Sequence, residues 1–526
     1  MSRRLLERLG ERARFIPDSI PESNGPDDFA AALESPGTEA VVYCPPLRSG
    51  KADLPDLAAA EVFFQAFAQA LKAPVRLVLL SSAAAIDPSH HNIGYLTEKH
   101  RSPGRNPIAR AWLDLEALAA ARLPGVEQIV LRPAPVISHD GNSFFARLLR
   151  SRIAVVPAGY DPPLQLLSGE DLAGAVLCAL ERGAGRPGLY HVAPAGVVPV
   201  RGALRLAGVR RVALPRWSAQ LDYLRHNWTV SGGKIADVLG FKPAQTSAEA
   251  LLDAFDARDA PRPSFDPYGL DTGYIAAYSR TLFHFLHDVY WRIEHEGLEN
   301  VPRQGPAVLT GVHRGFMPWD GVMALYLLRR ETGRIPRFLI HPCLIKFPFL
   351  ANYMTKLGGL LACQENADWV LGQGEILGMF PEGIHGAFTM YRDAYRLGRF
   401  GRDEYVKMAL RNRAPIVPFV TVGSAETYPI LARIDSRLVR RVAEWPYLPI
   451  TPTFPLPGFP LPSKWHTRFL EPIPVHTMHP PEAADDPEVV RALSAVVRSR
   501  MEAAIQDMLA RRKSVFFGSI FKAAAP

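Results

Sequence analysis

The sequence predicts an α/β protein built from two domains, and three observations support this prediction. The chain has 526 residues, more than one compact hydrophobic core usually holds. Short runs of β-branched residues alternate with longer Ala- and Leu-rich helical patterns, which favours parallel strands covered by helices. Residues 257–270 are rich in proline and lack apolar periodicity, which indicates a linker. We therefore place one domain at residues 1–256 and the second at residues 271–526.

Composition narrows the class of protein. Hydrophobic residues make up 48% of the chain and charged residues 21%, which is typical of globular proteins and excludes a disordered chain. The formal net charge of +8 permits an anionic partner, such as phosphate groups or a lipid surface. No apolar run reaches the length of a membrane span, and the first residues lack the apolar core of a secretory signal. The 4 cysteines lack metal-ligand spacing, so we expect free thiols in a reducing, cytoplasmic compartment.

Apolar patterns place the main elements of each domain. In the first domain, strands are predicted at residues 40–44, 76–80 and 128–131, and helices at residues 57–73, 108–121 and 169–182. In the second domain, strands are predicted at residues 307–311, 337–340, 377–380 and 416–422. The alternation of strands and helices predicts a parallel sheet in each half.

The first domain contains RLVLLSSAAAID at residues 76–87, followed by NPIARAWLDLEAL from Asn106 and VLRPAPVI from Val130. These stretches resemble the extended short-chain dehydrogenase/reductases of the epimerase-like kind. The resemblance implies a Rossmann-like parallel sheet over most of residues 1–256. That family moves a proton with a Ser or Thr, a Tyr and a Lys. The equivalent positions here hold Ala83, Ile108 and Trp112, and none of these side chains can transfer a proton.

The cofactor loop of that family follows its first strand, where glycines let backbone N–H groups approach a pyrophosphate. This chain begins inside what resembles the first helix, at residues 3–14, so we expect the sheet to lack its first strand and glycine loop. Either the gene start is placed too late or the domain has lost dinucleotide binding. Tyr95 and Lys99 match the spacing YxxxK, but they precede the family's helix. We expect no NAD(P) binding and a structural or interaction role.

Three blocks stand in order in the second domain: GPAVLTGVHRGFMPWDGVMALYLL at residues 305–328, GEILGMFPEGIHGAF at 374–388 and APIVPFVTVGSAETY at 414–428. With the approach segment WRIEHEGLENVPRQGP from Trp291, they resemble the glycerolipid acyltransferases of the lysophosphatidate type, over roughly residues 274–520. The resemblance implies an O-acyltransferase that moves a fatty acyl group from acyl-CoA or acyl-carrier protein to a lysophospholipid hydroxyl. Phospholipid or glycerolipid synthesis would be its setting.

His313 and Asp320 are the predicted catalytic residues. An alcohol is a poor nucleophile at neutral pH, so a positioned imidazole must take its proton, and a carboxylate must orient the ring. The family spaces these residues as HxxxxD, whereas six residues separate them here. On one continuous helix this spacing would put them about 10 Å apart along the axis. Pro318 favours a loop that folds back and brings Asp320 to His313, and Asp320 could also cap the following helix.

The resemblance assigns acceptor binding to Glu382 and Gly383, with a salt bridge that shapes the turn as the alternative role of Glu382. The family's arginines for phosphate are not in their usual places, since Cys363 and Gln364 stand at one of them. Arg392 and Arg396 recur at helical spacing and could replace them, or could belong to a solvated helix face. Without a phosphate pocket, a neutral acceptor such as diacylglycerol or a long-chain alcohol becomes the alternative.

Two segments suggest contact with a membrane. The first is an apolar stripe at helical spacing, a pattern that is more often core than membrane face, comprising Ile275, Tyr278, Leu282, Phe285 and Val289. The second is RRKSVFFGSIFK at residues 511–522, which suits anionic headgroups. Docking of this segment on the domain or on a partner is the alternative.

We therefore expect a peripheral protein at the inner face of the membrane. Its partners are a lipid acceptor and an acyl donor, with no nucleic acid, no metal and no redox cofactor. A catalytically inactive lipid-binding or scaffolding protein stays open as an alternative, as do the chain length of the acyl group and the oligomeric state.

Overall fold

The structure is a computed structural model. It describes residues 38–48, 53–71, 75–92, 95–138, 143–215, 218–255, 266, 268–347, 349–401, 403–454 and 460–521. The chain divides into two compact units, Met1–Gly269 and Leu270–Pro526. The helix predicted at residues 3–14 and most of the predicted linker lie outside the described residues.

The first unit is organised around a parallel sheet of strand order β1-β2-β3-β8. Its strands are β1 Ala40–Tyr43, β2 Arg76–Leu80, β3 Gln128–Pro133, β4 Val136–Ile137, β5 Ile153–Pro157, β6 Pro163–Leu164, β7 Leu167–Ser168, β8 Gly188–Val192, β9 Val198–Pro199 and β10 Arg210–Leu214. Every residue of β2 is buried, as expected for a strand covered on both faces.

The helices of the first unit connect these strands. They are α1 Leu57–Ala70, α2 Pro107–Arg122, α3 Phe144–Arg150, α4 Gly169–Arg182, α5 Val200–Leu206, α6 Ala219–Asp222, α7 Gly233–Leu239 and α8 Ser247–Ala254. Polar side chains fix where the long helices begin. Backbone N–H groups in the first turns of α1, α2 and α4 donate hydrogen bonds to the side chains of Asp56, Asn106 and Ser168 respectively. The predicted α/β class with a parallel sheet is confirmed for this unit.

The second unit contains a mixed sheet of order β11-β19-β16-β12-β15-β13-β14. Its strands are β11 Glu294–Glu296, β12 Ala307–Gly311, β13 Arg337–Ile340, β14 Leu360–Leu361, β15 Ile376–Met379, β16 Ile416–Val422, β17 Ala432–Ile434, β18 Leu448–Ile450 and β19 His466–Phe469. Strand β12 pairs in parallel with both β15 and β16, whereas β19 is antiparallel to β16. All five residues of β12 are buried, so this strand forms the centre of the unit.

The helices of the second unit are α9 Thr272–Tyr278, α10 Trp319–Thr332, α11 Cys343–Lys346, α12 Leu350–Lys356, α13 Gln364–Gly372, α14 Ile384–Ala387, α15 Glu404–Arg411, α16 Arg437–Val442, α17 Val475–Met478 and α18 Pro487–Arg511. Among the described residues, no helix combines the length and the apolar character that a membrane span needs.

The apolar stripe predicted along α9 and its continuation is only partly buried. After α9 the chain winds into two π-helical stretches, Ser279–Phe283 and Phe285–Tyr290. A π-helix bonds each residue to the fifth one along rather than the fourth, so the buried face shifts. Phe283 and Leu286 are buried, whereas Phe285 and Val289 are 41% and 57% exposed.

The predicted lipid-facing cluster at residues 511–522 is only partly at the surface. Phe516 and Phe517 are exposed, in agreement with the prediction. Arg512 instead turns inward, where its guanidinium donates to the buried carboxylate of Glu426 at 2.5 Å. The described part of this segment is therefore attached to the unit by a buried ion pair.

Candidate active site

The candidate site lies at one edge of the sheet in the second unit. His313 comes two residues after β12, and Phe380 directly follows the neighbouring strand β15. Gly423 directly follows β16 on the other side of β12. Because the carboxyl ends of parallel strands meet at the same edge, side chains from separate segments converge there.

His313 and Asp320 are in contact. The Nδ1 atom of His313 lies 2.8 Å from each carboxylate oxygen of Asp320. A carboxylate only accepts hydrogen bonds, so Nδ1 carries the proton and donates it to Asp320. The other ring nitrogen, Nε2, then holds a lone pair and can accept a proton from a substrate. The side chain of Asp320 is fully buried, and that of His313 is 12% exposed.

A compact loop closes the wide spacing between these two residues. Gly315 and Phe316 have φ angles of 81° and 57°, which reverse the chain direction. A side chain at position 315 would meet the carbonyl oxygen of Ser424 at 2.6 Å, so only glycine fits there. The loop folds back as expected from Pro318, which takes the N-cap position of α10.

Asp320 is therefore not the helix cap that the sequence suggested as its second role, but lies in the first turn of α10. Backbone N–H groups of Arg314 and Gly321 each donate to its carboxylate at 2.9 Å. The positive end of the helix dipole also favours a carboxylate at this place. These contacts hold Asp320 in the orientation that meets His313.

The phenylalanine of the FPEG block packs against the ring of His313. The rings of Phe380 and His313 lie 5.0 Å apart between centroids. Phe380 also contacts Phe338 and Phe419, at 5.5 Å and 6.1 Å between centroids. A Cβ on Gly311 would clash with Phe419, so glycine at the end of β12 leaves room for this aromatic group. The FPEG block thus positions His313, and it also lines an apolar cavity beside this residue.

Glu382 forms a buried ion pair with Arg314, which the sequence analysis did not identify. The Nη1 and Nη2 atoms of Arg314 donate to the two carboxylate oxygens of Glu382 at 2.6 Å and 3.1 Å. Gly398 N donates to the same carboxylate at 2.5 Å. Both charged side chains are almost completely buried. Of the two roles considered for Glu382, this geometry favours the salt bridge that shapes the turn over contact with an acceptor.

Arg314 links the site to the chain that follows FPEG. Its guanidinium also donates to the carbonyl oxygens of His313, Ala394 and Arg396, at 2.7 Å, 2.5 Å and 2.9 Å. Since every side of the guanidinium is engaged, Arg314 holds the His313 loop and residues 394–398 together. Its signal in the sequence was the adjacency of an arginine to His313, just after a buried strand.

Gly383 has a backbone conformation that other residues avoid. Its φ is 58° and its ψ is −146°, a region almost restricted to glycine. A Cβ built there meets no atom within 4 Å. The backbone turn therefore requires glycine here, whether or not Gly383 also contacts an acceptor as the resemblance implies.

The two arginines predicted to bind phosphate do not join the site. Arg392 and Arg396 have side chains 80% and 84% exposed, and both pair with Asp393. The helical spacing was misleading, because a 3₁₀ turn at Tyr391–Asp393 is followed by irregular chain. Arg314 donates hydrogen bonds to two backbone carbonyl groups of this segment, so these groups are not available for helix hydrogen bonds.

An apolar cavity of about 220 Å³ lies beside His313. Its walls come from the His313 loop, α10, the end of β13, α11, α12 and the FPEG turn, with Trp445 on one side. Among the described residues that line it there is no Lys, Arg, Asp or Glu. His341 and Cys343 are the other ionisable residues of this lining, and burial raises the pKa of Cys343 to about 12, so its thiol stays protonated.

The reductase positions of the first unit are filled by apolar groups. Ala83 follows β2, and Ile108 and Trp112 lie on α2, all three buried. Burial raises the pKa of Tyr95 to about 12, although Tyr268 donates a hydrogen bond that lowers it. A reductase tyrosine acts as a phenolate, which needs the opposite shift. The shift in the pKa of Tyr95 is therefore opposite to the one that this chemistry needs.

The second unit is therefore an α/β domain in which a His–Asp pair borders an apolar cavity. A family model described as Acyltransferase matches residues 292–422, which include this site. An uncharacterized protein of Mycobacterium tuberculosis is 39% identical over 261 residues, 48% of this chain and 72% of the relative. An uncharacterized protein of Mycobacterium leprae is 38% identical over 259 residues, 48% of this chain and 70% of the relative. The chain belongs to one family with these mycobacterial proteins, and its second unit carries an acyltransferase domain.

A more distant relative carries a functional name. A Bos taurus protein named DGAT1/2-independent enzyme synthesizing storage lipids is 26% identical over 189 residues, 36% of this chain and 54% of the relative.

Two solved structures are similar to about half of the chain. MoeE5 in complex with UDP-glucuronic acid and NAD is 17% identical, with 49% of this chain and 95% of that chain covered and a TM-score of 0.39. The UDP-glucose 4-epimerase of Thermotoga maritima is 14% identical, with 48% and 94% covered and a TM-score of 0.38.

Proposed function

We propose that the second unit transfers a fatty acyl group from a thioester to the hydroxyl of a lipid, with His313 as the general base. The observation that carries this proposal is the His313–Asp320 pair, which borders an apolar cavity at the edge of the sheet. The donor is acyl-CoA or acyl-carrier protein, which present the same thioester.

The reaction needs one group that first accepts and then returns a proton. As the acceptor hydroxyl oxygen attacks the thioester carbonyl carbon, Nε2 of His313 takes the hydroxyl proton. Asp320 stabilises the imidazolium through Nδ1–H, as carboxylates do in other His–Asp pairs. When the tetrahedral intermediate collapses, the C–S bond breaks and the thiolate takes the proton from Nε2. The ester is formed, and His313 returns to its starting state.

The cavity accounts for the apolar part of a substrate. Its lining of Phe, Leu, Ile, Met and Val side chains suits an acyl chain, since each buried CH₂ contributes about 0.8 kcal/mol. A charged substrate group would be left without a partner in this lining. The acyl chain is therefore assigned to the cavity, and polar parts of both substrates to its opening.

Two acceptor classes are candidates. A lysophospholipid is the first, because the three sequence blocks resemble enzymes that acylate lysophosphatidate. A neutral acceptor, diacylglycerol or a fatty alcohol, is the second. The cavity lining favours it, because the described lining residues include no Lys or Arg for a phosphate, and Arg392 and Arg396 point to solvent. The name of the Bos taurus relative agrees with it.

A competition assay with purified full-length protein separates these candidates. Acyl-CoA is offered with lysophosphatidate, other lysophospholipids, diacylglycerol and a fatty alcohol, and products are identified by mass spectrometry. Transfer to the lysophospholipids alone supports the first candidate, and transfer to the neutral lipids supports the second. Acyl-carrier protein is then tested as donor with the acceptor that responds.

We also propose that the first unit performs no NAD(P)-dependent reaction, because Ala83, Ile108 and Trp112 cannot move a proton. Titration of the protein with NAD and NADP, followed by calorimetry, tests this. Heat from saturable binding, together with oxidation of a sugar nucleotide, would contradict it.

The setting of the reaction is the last part of the proposal. A lipid acceptor resides in a bilayer, so the protein acts as a peripheral protein at the inner, cytoplasmic face of a membrane. Exposed Phe516 and Phe517 support contact with lipid, and the guanidinium of Arg292 lies over the ring of Phe517. Fractionation of cells into membrane and soluble proteins tests this placement.

A further inference from the structure

A surface segment near the cavity carries aliphatic and basic side chains together. Residues 431–442 comprise β17, a short turn and α16. Four large aliphatic side chains of this segment are 48–69% exposed, namely Leu431, Ile434, Leu438 and Val442. Exposed aliphatic residues on a surface are ordinary when they are scattered, but a cluster of this kind marks an interaction site.

The two kinds of side chain occupy different faces of α16. Leu438 and Val442 are four residues apart, so they lie one turn apart on the same face of the helix. Arg437, Arg440 and Arg441 fall on the adjacent face, and all three are exposed. None of the six residues of α16 is buried against the rest of the unit. This division into an aliphatic and a basic face is typical of helices that lie in a bilayer interface.

The charge of the segment is strongly positive. It contains four arginines, and the single acidic residue, Asp435, pairs with Arg440 at 3.4 Å. Arg433 is exposed and lies over the ring of Tyr447. Basic residues next to exposed aliphatic groups complement an anionic lipid surface, where each is worth about 1 kcal/mol.

The segment leads directly into the cavity wall. Trp445 lines the cavity and packs against Phe316 of the His313 loop, at 5.0 Å between ring centroids. Glu444 pairs with Lys346 at the end of α11, at 2.7 Å. Phe347, next along the chain, also lines the cavity, and Phe349 is 68% exposed.

We propose that residues 431–442 dock on an anionic lipid bilayer and present the cavity opening to lipids in it. The inference rests on the proposed function for its purpose, but the docking itself does not require catalysis. Leu438 and Val442 enter the acyl region below the headgroups, while the arginines contact the headgroups. The acceptor then reaches His313 past Trp445 and Phe347 without crossing water.

Binding to vesicles tests this surface. Full-length protein is sedimented with vesicles of phosphatidylcholine, with and without phosphatidylglycerol. The variants are Leu438→Ser with Val442→Ser, and Arg437→Gln with Arg441→Gln. The matched controls lie on α18, where Val496, Arg491 and Arg500 are also exposed. They are Val496→Ser for the aliphatic variant and Arg491→Gln with Arg500→Gln for the arginine variant.

We expect wild-type protein to bind the anionic vesicles, and each lost arginine to weaken binding about fivefold. The aliphatic variant should weaken binding to both kinds of vesicle, while the controls bind as wild type. Equal binding by test and control variants would overturn the proposal, as would failure of the wild type to bind. So would a dimer, seen in analytical ultracentrifugation, that the same variants dissociate.

The assay also separates this proposal from the proposed function. Transfer to a short-chain acceptor dissolved below its micelle concentration does not need the bilayer. We expect the segment variants to keep this activity and to lose transfer to acceptors embedded in vesicles. If the wild type binds vesicles through this segment but transfers no acyl group, the proposed function fails and the docking surface stands.

Discussion

At the scale of single residues, the site depends on how one carboxylate is held. Asp320 accepts from His313, Arg314 N and Gly321 N, and its side chain is excluded from water. The carboxylate therefore has one orientation, and it fixes both the ring position and the tautomer of His313. The ring of His313, which lines the cavity, then has its lone pair on Nε2.

Asp320→Asn should lower kcat by about 100-fold or more, because an amide can donate to Nδ1 and favour the wrong tautomer. KM for the donor should change little, since Asp320 does not line the cavity. Steady-state kinetics with acyl-CoA measure both values. Asp393→Asn, on the exposed side of the same unit, is the matched control, and an equal loss of kcat in both variants would contradict the assignment.

The pair of Arg314 and Glu382 gives a second prediction. Arg314→Met leaves the Glu382 carboxylate buried without its partner, which should lower the free energy of unfolding by about 3–5 kcal/mol. The double variant Arg314→Met with Glu382→Leu should recover part of this loss. Urea unfolding of the wild type, Arg314→Met, Glu382→Leu and the double variant measures the coupling.

A further variant, Glu382→Gln, distinguishes the two roles considered for Glu382. If Glu382 contacted the acceptor, Glu382→Gln would raise KM for the acceptor and leave stability unchanged. The ion pair predicts the reverse, a less stable protein whose KM for the acceptor is preserved at low temperature.

At the scale of elements, the period of the helix that starts at Thr272 decides which residues are core. A regular α-helix would bury Phe285 and Val289 together with Ile275, whereas the π-helical stretches bury Phe283 and Leu286. A 3.6-residue pattern cannot reveal this change, because it depends on hydrogen bonds that the apolar sequence does not specify.

Leu286→Ala should therefore destabilise the protein by about 2–5 kcal/mol, as for other buried leucines. Val289→Ala, in the same helical stretch, should change stability by less than about 0.5 kcal/mol, because its side chain is exposed. Chemical unfolding of both variants measures the difference. Equal losses would show that the segment is a regular helix with the stripe buried.

Sequence patterns identified the strands that carry the site. The strands at residues 307–311, 337–340 and 416–422 have the predicted bounds, because a buried parallel strand is a continuous apolar run with clear ends. The contact between His313 and Asp320 was also predictable, since Pro318 prevents a continuous helix between them.

Contacts between distant segments were not predictable. The pairing of Arg314 with Glu382 depends on β12 lying beside β15, and strand order does not follow from local patterns. The chain around Arg392 and Arg396 accepts hydrogen bonds from Arg314 through its backbone carbonyl groups. The helical spacing of the charged residues does not reveal these bonds.

At the scale of the whole molecule, both units bury neutral histidines. Burial lowers the pKa of His191 in the first unit to about 3, and that of His287 and His466 in the second unit to about 4. In the unfolded chain each group takes up a proton near its ordinary pKa of 6.5. The stability that these groups provide is therefore complete above pH 6.5 and is lost as the pH falls towards 4.

Each buried histidine should lower the free energy of unfolding by up to about 1.4 kcal/mol per pH unit in this window. Urea unfolding at a series of pH values measures the slope. His466→Gln should reduce it, whereas His385→Gln, at an exposed position, should leave it unchanged. A slope that is the same in all three proteins would contradict the neutral state of His466.

The most direct test of the account is acyl transfer by the full-length protein, compared with His313→Ala and with His385→Ala as the matched histidine control. Acyl-CoA and the acceptor panel are supplied, and ester products are measured by mass spectrometry. We predict ester product with the wild type and with His385→Ala, and a rate of product formation lower by about 100-fold or more with His313→Ala. Equal product from the wild type and His313→Ala, or no product with any acceptor from either donor, would contradict it.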